Sequence, residues 1–415
     1  MKKLIFLILC LSLVSNLNAE SNDSNTNEKR LLTINEAIEK AISSNPAILA
    51  LLKQEEISNG LLKQAKISPK PSLSVGAEDF AGNGEYKKTS SMKSTIGLTQ
   101  TIETAGKRHK RIRLADLSKS IELLKIEIAK KEMKLEVASS FIKLYQLSNE
   151  LEIQKESIKL ASQTADSVNQ KVKAGELAQI DATRAFVEVT REETVKKHLE
   201  LDIASLRQEL ATLLGEKSFE YDGISINSQS ILEKELLKID KIDIEQLPEL
   251  ALAKAELELA KADHKMTKAE NVSDIDLSLN YSKYRATSDH AFGIQASIPL
   301  SQNNNKGKIQ SAKAVVDAAE LRIKNVSSNL SAKINTSFQE MESLAKEVQN
   351  IETMLLPAAK ESYKQVQIAF DSGEKNLIDL FDSKKSLLET ELLLLELRSK
   401  LFSAICEYAI LTRQI

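Results

Sequence analysis

The chain has no tryptophan, and only 4% of its 415 residues are aromatic. Prolines number six and glycines twelve. So few rings argue against a thick globular core, and so few chain-breakers argue for long uninterrupted elements. Cysteine is nearly missing too. Of the two present, Cys10 lies in an amino-terminal apolar run and Cys406 in an apolar helical stretch. Once such a leader is removed, Cys406 has no partner for an internal disulfide and reads as a small buried hydrophobe rather than a reactive site. Beyond the leader no run approaches the roughly 18 apolar residues of a membrane-spanning helix. Neither sign of charge is in excess: 57 basic and 59 acidic residues leave a net −2, which gives no electrostatic footprint for nucleic acid. Ala, Leu, Ile, Glu, Lys and Ser dominate instead. That is the composition of long helices packed along seams, and it points to one elongated body rather than the two or three domains suggested by length.

Residues 1–19 read as an export signal. Lys2 and Lys3 open it, "LIFLILCLSLV" is its apolar core, and Ala19 supplies the small residue for cleavage. Leu9 stands where a lipid-attachment signal wants a small residue, so cleavage after Ala19 is favoured over lipidation at Cys10. Residues 20–31 are polar and expected to be disordered. Thr33 and Glu36 then form a capping-box pattern at a helix start. Asn45-Pro46 interrupts that helix, and Pro69 and Pro71 end it.

The period now changes. Leu73, Val75 and Ala77 alternate with small or polar residues, and so do Ile96, Leu98 and Ile102. Strands are expected at about 72–79 and 93–103. From Gly106 to Val172 no proline occurs. One helix there would span about 100 Å. Leu117, Ile121, Leu124, Ile128, Leu135, Ala138, Ile142 and Tyr145 follow a 4-3 spacing, with a polar gap at Lys131.

The order then repeats. Residues 32–216 form a first unit and residues 246–415 a second, with strands at about 275–284 and 289–300. A bend is expected at Pro357. Residues 217–245 fit neither unit and read as a separate side element. Each unit carries the same helix-breaking turn, "KAGELAQIDA" at 173–182 and "DSGEKNLIDL" at 371–380. The offset is constant, since 373 − 175 and 379 − 181 are both 198.

The strands are long enough to cross a bilayer as tilted β-structure. An open four-stranded sheet cannot sit in lipid, because its edge amides lack partners. Even a small filled barrel needs about eight strands. Membrane-spanning strands would therefore require several chains to share one barrel, with the small polar residues facing water and the apolar set facing lipid. A soluble sheet lying on the helices fits the alternation equally well. The last helix offers a second clue. Leu380, Leu387, Leu394 and Leu401 form one column and Phe381, Leu388, Leu395 and Phe402 another, which implies neighbours on both sides, as in the wall of a tube. Asp379, Asp382, Ser386 and Glu389 form a polar strip. It suits a water-lined lumen or an ordinary solvated face.

The signal, the duplicated helix–strand pair–helix halves and the paired turns "AGELAQID" and "SGEKNLIDLFD" together resemble the TolC family of outer-membrane efflux channels, over about residues 31–412. "TIETAGKRHKR" is similar to the heavy-metal-efflux, CzcC-like branch. The resemblance implies a mainly α fold with four membrane β-strands. Three copies would build an α-helical tunnel in the periplasm and share a 12-stranded β-barrel in the outer membrane. It implies a homotrimer in contact with outer-membrane lipid, a periplasmic adaptor protein and an inner-membrane transporter, of the RND type. The two glycine turns become the periplasmic tip. Asp379 and Asp382 match acidic rings at the tunnel mouth, Lys375 a basic gate residue, and Asp181 its partner in the other turn. Phe370 stands where some relatives carry a tyrosine bonded to that aspartate, so this latch cannot form in the same way. Gly175, Leu177, Gly373 and Leu377 match the adaptor-docking tip, although the two glycines are equally explained by turn geometry.

No catalytic, cofactor or metal site is expected. His109, His198, His264 and His290 lack neighbours at ligand spacing, and there is no P-loop or dinucleotide fingerprint. "GKRHKR" (106–111) suits headgroups of the membrane's inner leaflet, or a merely solvated helix start. Two functions remain in play. One is a passive efflux duct fed by a pump, with heavy-metal cations as the substrate implied by branch resemblance. The other is a soluble periplasmic coiled-coil adaptor or scaffold.

Overall fold

The computed structural model describes residues 30–225, 244–300 and 305–412. The signal at 1–19 and most of the side element at 217–245 lie outside these. Leu31, placed by the sequence reading at the end of a disordered terminus, is in β1 (Leu31–Thr33), which pairs in parallel with β4 (Gly223–Ser225). Leu32 supplies the reason, since it is buried in the main core together with Tyr221. Residues 217–225 are thus fastened to the helical body.

α1 (Ile34–Ser44) starts in a complete Thr33–Glu36 capping box, and Asn45 caps α2 (Pro46–Ala65). β2 (Ser72–Glu78) and β3 (Lys93–Ile102) lead into α3 (Lys107–Lys173), 67 residues long, and α4 (Gln179–Leu213) returns. The second half runs α5 (Pro248–Glu270), β5 (Ile275–Tyr284), β6 (His290–Ser297), α6 (Lys306–Asn350), α7 (Leu356–Asp371) and α8 (Leu377–Leu411). A π-helical turn, Ile351–Leu355, joins α6 to α7, with Leu356 N–H reaching back to Ile351 O. Pro357 lacks an N–H of its own, and the wider turn just before it absorbs the break in the ladder.

α3 is the spine. Near the sheet it lies between α2 and α5, with α6 beyond α5; towards the opposite end its neighbours are α4 and α8. The helices therefore form a single-layer wall. The two columns on α8 behave accordingly. Leu394 and Leu401 pack on Met341, Leu344 and Val348 of α6, whereas Phe402 packs on Ala138 and Ile142 of α3 with Cys406 and Ile410. The polar gap at Lys131 also has a purpose, for its buried ammonium meets Glu249 of α5 at 2.6 Å and Leu411 O at 3.3 Å.

β2, β3, β5 and β6 form one antiparallel sheet in that order. Its register sorts the side chains of the middle rows. Leu73, Leu98, Leu279 and Ile294 form one row and Val75, Ile96, Tyr281 and Phe292 the next, all on one face. On the other face Ser74, Gly97, Asn280 and Gly293 are in line, beside Ser72, Thr99, Ser278 and Gln295. Hydroxyls there bond one another, Thr99 to Ser278 at 2.7 Å and Thr95 to Ser282 at 3.1 Å, and Thr101 donates to Asp276 at 2.6 Å. The large apolar residues face outward unpacked: Phe292 is 75% and Ile294 78% exposed.

Candidate functional site

The helix ends farthest from the sheet bring the two turns together. Both close with the same hydrogen-bond pattern. At the first, Glu176 N–H donates to Lys171 O and Gly175 N–H to Val172 O; at the second, Glu374 N–H donates to Ala369 O and Gly373 N–H to Phe370 O. Gly175 and Gly373 have φ of 82° and 81°, the left-handed conformation this helix ending requires.

The aspartate six residues after each glycine caps the helix that follows. Asp181 accepts from Ala178 N–H at 3.3 Å, and Ala178 offers no side-chain acceptor in return. Asp379 accepts from Asn376 N–H at 3.4 Å while Asn376 Oδ1 accepts from Asp379 N–H at 2.9 Å, a full reciprocal box. Capping therefore accounts for the spacing of both aspartates. Asp382, one turn further along α8, is exposed, with no hydrogen bond or ion pair among the described residues.

The expected cross-turn pair is not made. Asp181 lies 3.5 Å from Arg184 and Lys375 3.8 Å from Asp379, each within its own turn. Phe370 is 3% exposed, in a core with Val168, Ala182, Ala185, Tyr363, Leu377 and Leu380. Leu377, read as a docking contact, is likewise 3% exposed and offers no surface to a partner here. Leu177 is half-buried against the same core, and both glycines are exposed.

The sequence reading missed what joins the two turns. Lys171 Nζ sits 4.7 Å over the Phe370 ring and donates to Phe370 O at 3.0 Å and Asp371 O at 3.2 Å. A cation there meets both the ring face and the negative end of α7. The signal was present as a break in the repeat, because residue 369, which corresponds to Lys171, is alanine. Further up the wall a second link was missed. Lys384 of α8 is buried and donates to Ser157 O of α3 at 3.1 Å and to Glu192 of α4 at 3.3 Å. Gln154 of α3 donates to Glu192 O at 2.9 Å and to its carboxylate.

The sequence profile of the outer membrane efflux protein family matches residues 37–216 and 244–405. The cobalt-zinc-cadmium resistance protein CzcC of Cupriavidus metallidurans is 22% identical over 362 residues, 87% of this chain and 85% of that one. Among solved structures, the outer membrane protein VceC of Vibrio cholerae superposes with a TM-score of 0.76 at 16% identity, covering 91% of this chain and 96% of that one. CusC, described by its transmembrane channel formation, superposes with a TM-score of 0.72 at 17% identity, covering 95% of both chains.

Proposed function

The chain belongs to the outer membrane efflux protein family, and from that premise we propose that three copies form one passive exit duct of a tripartite pump. Substrate reaches it from an inner-membrane transporter of the RND type through a periplasmic adaptor. Heavy-metal cations are the proposed cargo, by likeness to a protein named for resistance to cobalt, zinc and cadmium.

One observation carries the reading. The four-stranded sheet has a continuous, unpacked apolar face and free edges at β2 and β6. Lipid accommodates the face, but it tolerates the edges only if other copies pair with them. Three sheets joined edge to edge give twelve strands, with the Ser, Thr, Asn and Gly rows turned to an aqueous lumen. A soluble scaffold has no use for such a face. At the far end, Asp379 and Asp382 repeated around the axis would favour cations at the mouth. Lys171, Phe370, Asp181 and Lys375 lie where the two turns must part for a wider opening. Gly175, Gly373 and the half-buried Leu177 form the proposed adaptor surface.

Detergent-purified protein is expected to run as a trimer by light scattering and to give stepwise conductance in a planar bilayer. A monomer that stays in aqueous buffer without detergent and is silent in the bilayer returns the molecule to the scaffold reading. The cargo is tested by growth of a deletion strain. Restored tolerance to cobalt, zinc or cadmium, with no change for organic compounds, supports metal cations, and the reverse pattern removes them.

A further inference from the structure

Below the sheet, α3 and α5 enclose a groove of ≈390 Å³. Lys110 and Arg113 of α3 and Lys261 and Lys265 of α5 line it, joined by His109 and opposed by one acid, Glu258. Glu258 is spent on Lys261 at 3.1 Å, and Arg113 has Asp116 at 3.3 Å. Among the described residues, Lys110 bonds only the Ala105 carbonyl and Lys265 has no ion pair. The groove is left with a surplus of positive charge.

Its orientation follows from a neighbouring ion pair. Lys107 Nζ meets Asp274 at 2.8 Å. Asp274 continues the β5 alternation of Asp276, Ser278 and Asn280, so Lys107 is turned to the polar side of the wall. At about 100° per residue, His109 and Arg113 come roughly 200° and 240° round from Lys107, towards the apolar sheet face, while Lys110, at about 300°, lies nearer Lys107 along the seam with α5. Its depth follows from the chain. The last apolar pair of the sheet is Ile102 with Ile275, and Gly106 is at most about 14 Å further along. That puts the near end of the groove at or just below the headgroups of a bilayer seated on the apolar rows, and the α3 side chains lean back towards the sheet, the end at which that helix begins. α3 and α5 are also the middle pair of the wall here, and β3–β5 the middle pair of the sheet. Copies meeting at the edges therefore leave the groove open.

We propose that this groove binds the phosphate headgroup of an anionic phospholipid from the periplasm-facing leaflet, fixing the depth of the barrel in the membrane. The proposal rests on the channel reading, since it needs a sheet seated in lipid.

The test uses the full-length protein in phosphatidylcholine vesicles with and without phosphatidylglycerol, and native mass spectrometry of bound lipid. The triple variant Lys110→Gln/Arg113→Gln/Lys265→Gln is compared with a charge-matched control, Lys173→Gln/Lys197→Gln/Lys364→Gln, far from the membrane. Each basic group near an anionic surface counts, so the groove variant should hold phosphatidylglycerol at least about tenfold less tightly while the control is unchanged. Arg113→Gln and Lys265→Gln singly carry the test if the triple variant does not assemble. Equal lipid retention in wild type and groove variants overturns the proposal. So does complete displacement of the lipid by millimolar inorganic phosphate, which would make the groove a soluble-anion site. Wild type that inserts and conducts yet ignores lipid charge sinks this proposal alone, whereas failure to insert at all sinks the channel reading with it.

Discussion

At the scale of single residues, the tip glycines are held by backbone conformation and not by crowding. A Cβ at Gly175 or Gly373 would meet nothing within 4 Å, so alanine there is disfavoured only by its positive φ, about 1–2 kcal/mol. Gly215 differs. Its φ is 74°, and a Cβ would come 2.5 Å from Ser44 O, against backbone that cannot move aside. Gly215→Ala should therefore lower the thermal midpoint clearly more than Gly175→Ala or Gly373→Ala. Asp379 has two proposed uses, helix cap and charge at the mouth, and one substitution separates them. Asn keeps an acceptor for the Asn376 amide and removes the charge. Asp379→Asn with Asp382→Asn is expected to weaken divalent-cation block in bilayer recordings with the melting temperature nearly unchanged. Undiminished block would leave both groups as cap and surface only. Cys406 is a third case: burial pushes its thiol up to about 11. At neutral pH it should resist thiol reagents in the folded protein and react once unfolded, and rapid labelling of native protein would contradict its packing against Phe402 and Ile410.

At the scale of elements, charge ties the long helices to one another and to the sheet. Lys384, Glu192 and Gln154 join α8, α4 and α3. Lys384→Met should cost about 3–5 kcal/mol because it strands a buried carboxylate, and adding Glu192→Leu should recover much of the loss. If the double variant is as unstable as the single one, packing rather than charge holds that junction. Asp274 ties the base of β5 to α3. Burial works against its charge, but bonds from Lys107 and Thr104 outweigh this and hold its carboxyl below the ordinary value. A lowered carboxylate contributes stability above its unfolded pKa, about 4, which is lost as pH falls through the folded value. Thermal stability should thus decline below about pH 4, and Asp274→Asn should lack that part of the decline.

These elements also show what the sequence discloses. Strand alternation was readable because each strand has one wet and one apolar side, and the turns because glycine and a capping acid leave a fixed spacing. The face of α3 was only partly readable. Leu124 and Ile128 of its 4-3 pattern are half-buried, while Ile126, Met133, Val137 and Phe141, outside it, are buried. A 4-3 pattern describes one seam, but α3 exchanges neighbours along its length, from α2 and α5 to α4 and α8. Lys171 and Lys384 were missed for a related reason. Their partners lie 199 and 192 positions away in sequence, and only the packing of the wall reveals them.

At the scale of the whole molecule, the two halves are proposed as repeats that visit the tip in turn, with Lys171 on the Phe370 ring and the end of α7 as a joint between them. Lys171→Ala is expected to raise the open fraction of single-channel records, because nothing else described replaces its bonds to Phe370 O and Asp371 O. An unchanged open fraction would make that contact purely structural. The free edges of β2 and β6 carry one last consequence, for the order of events in the cell. The helical body can gather in the periplasm around the cores one chain builds for itself, although Leu61, Phe186, Leu201 and Leu321 each stay more than 60% exposed there. The sheet cannot follow alone, because no subunit owns all the partners its backbone needs. If three copies share one barrel, as proposed, their association must precede or accompany entry into the bilayer, and exported subunits are most vulnerable to aggregation and proteolysis while they wait for one another.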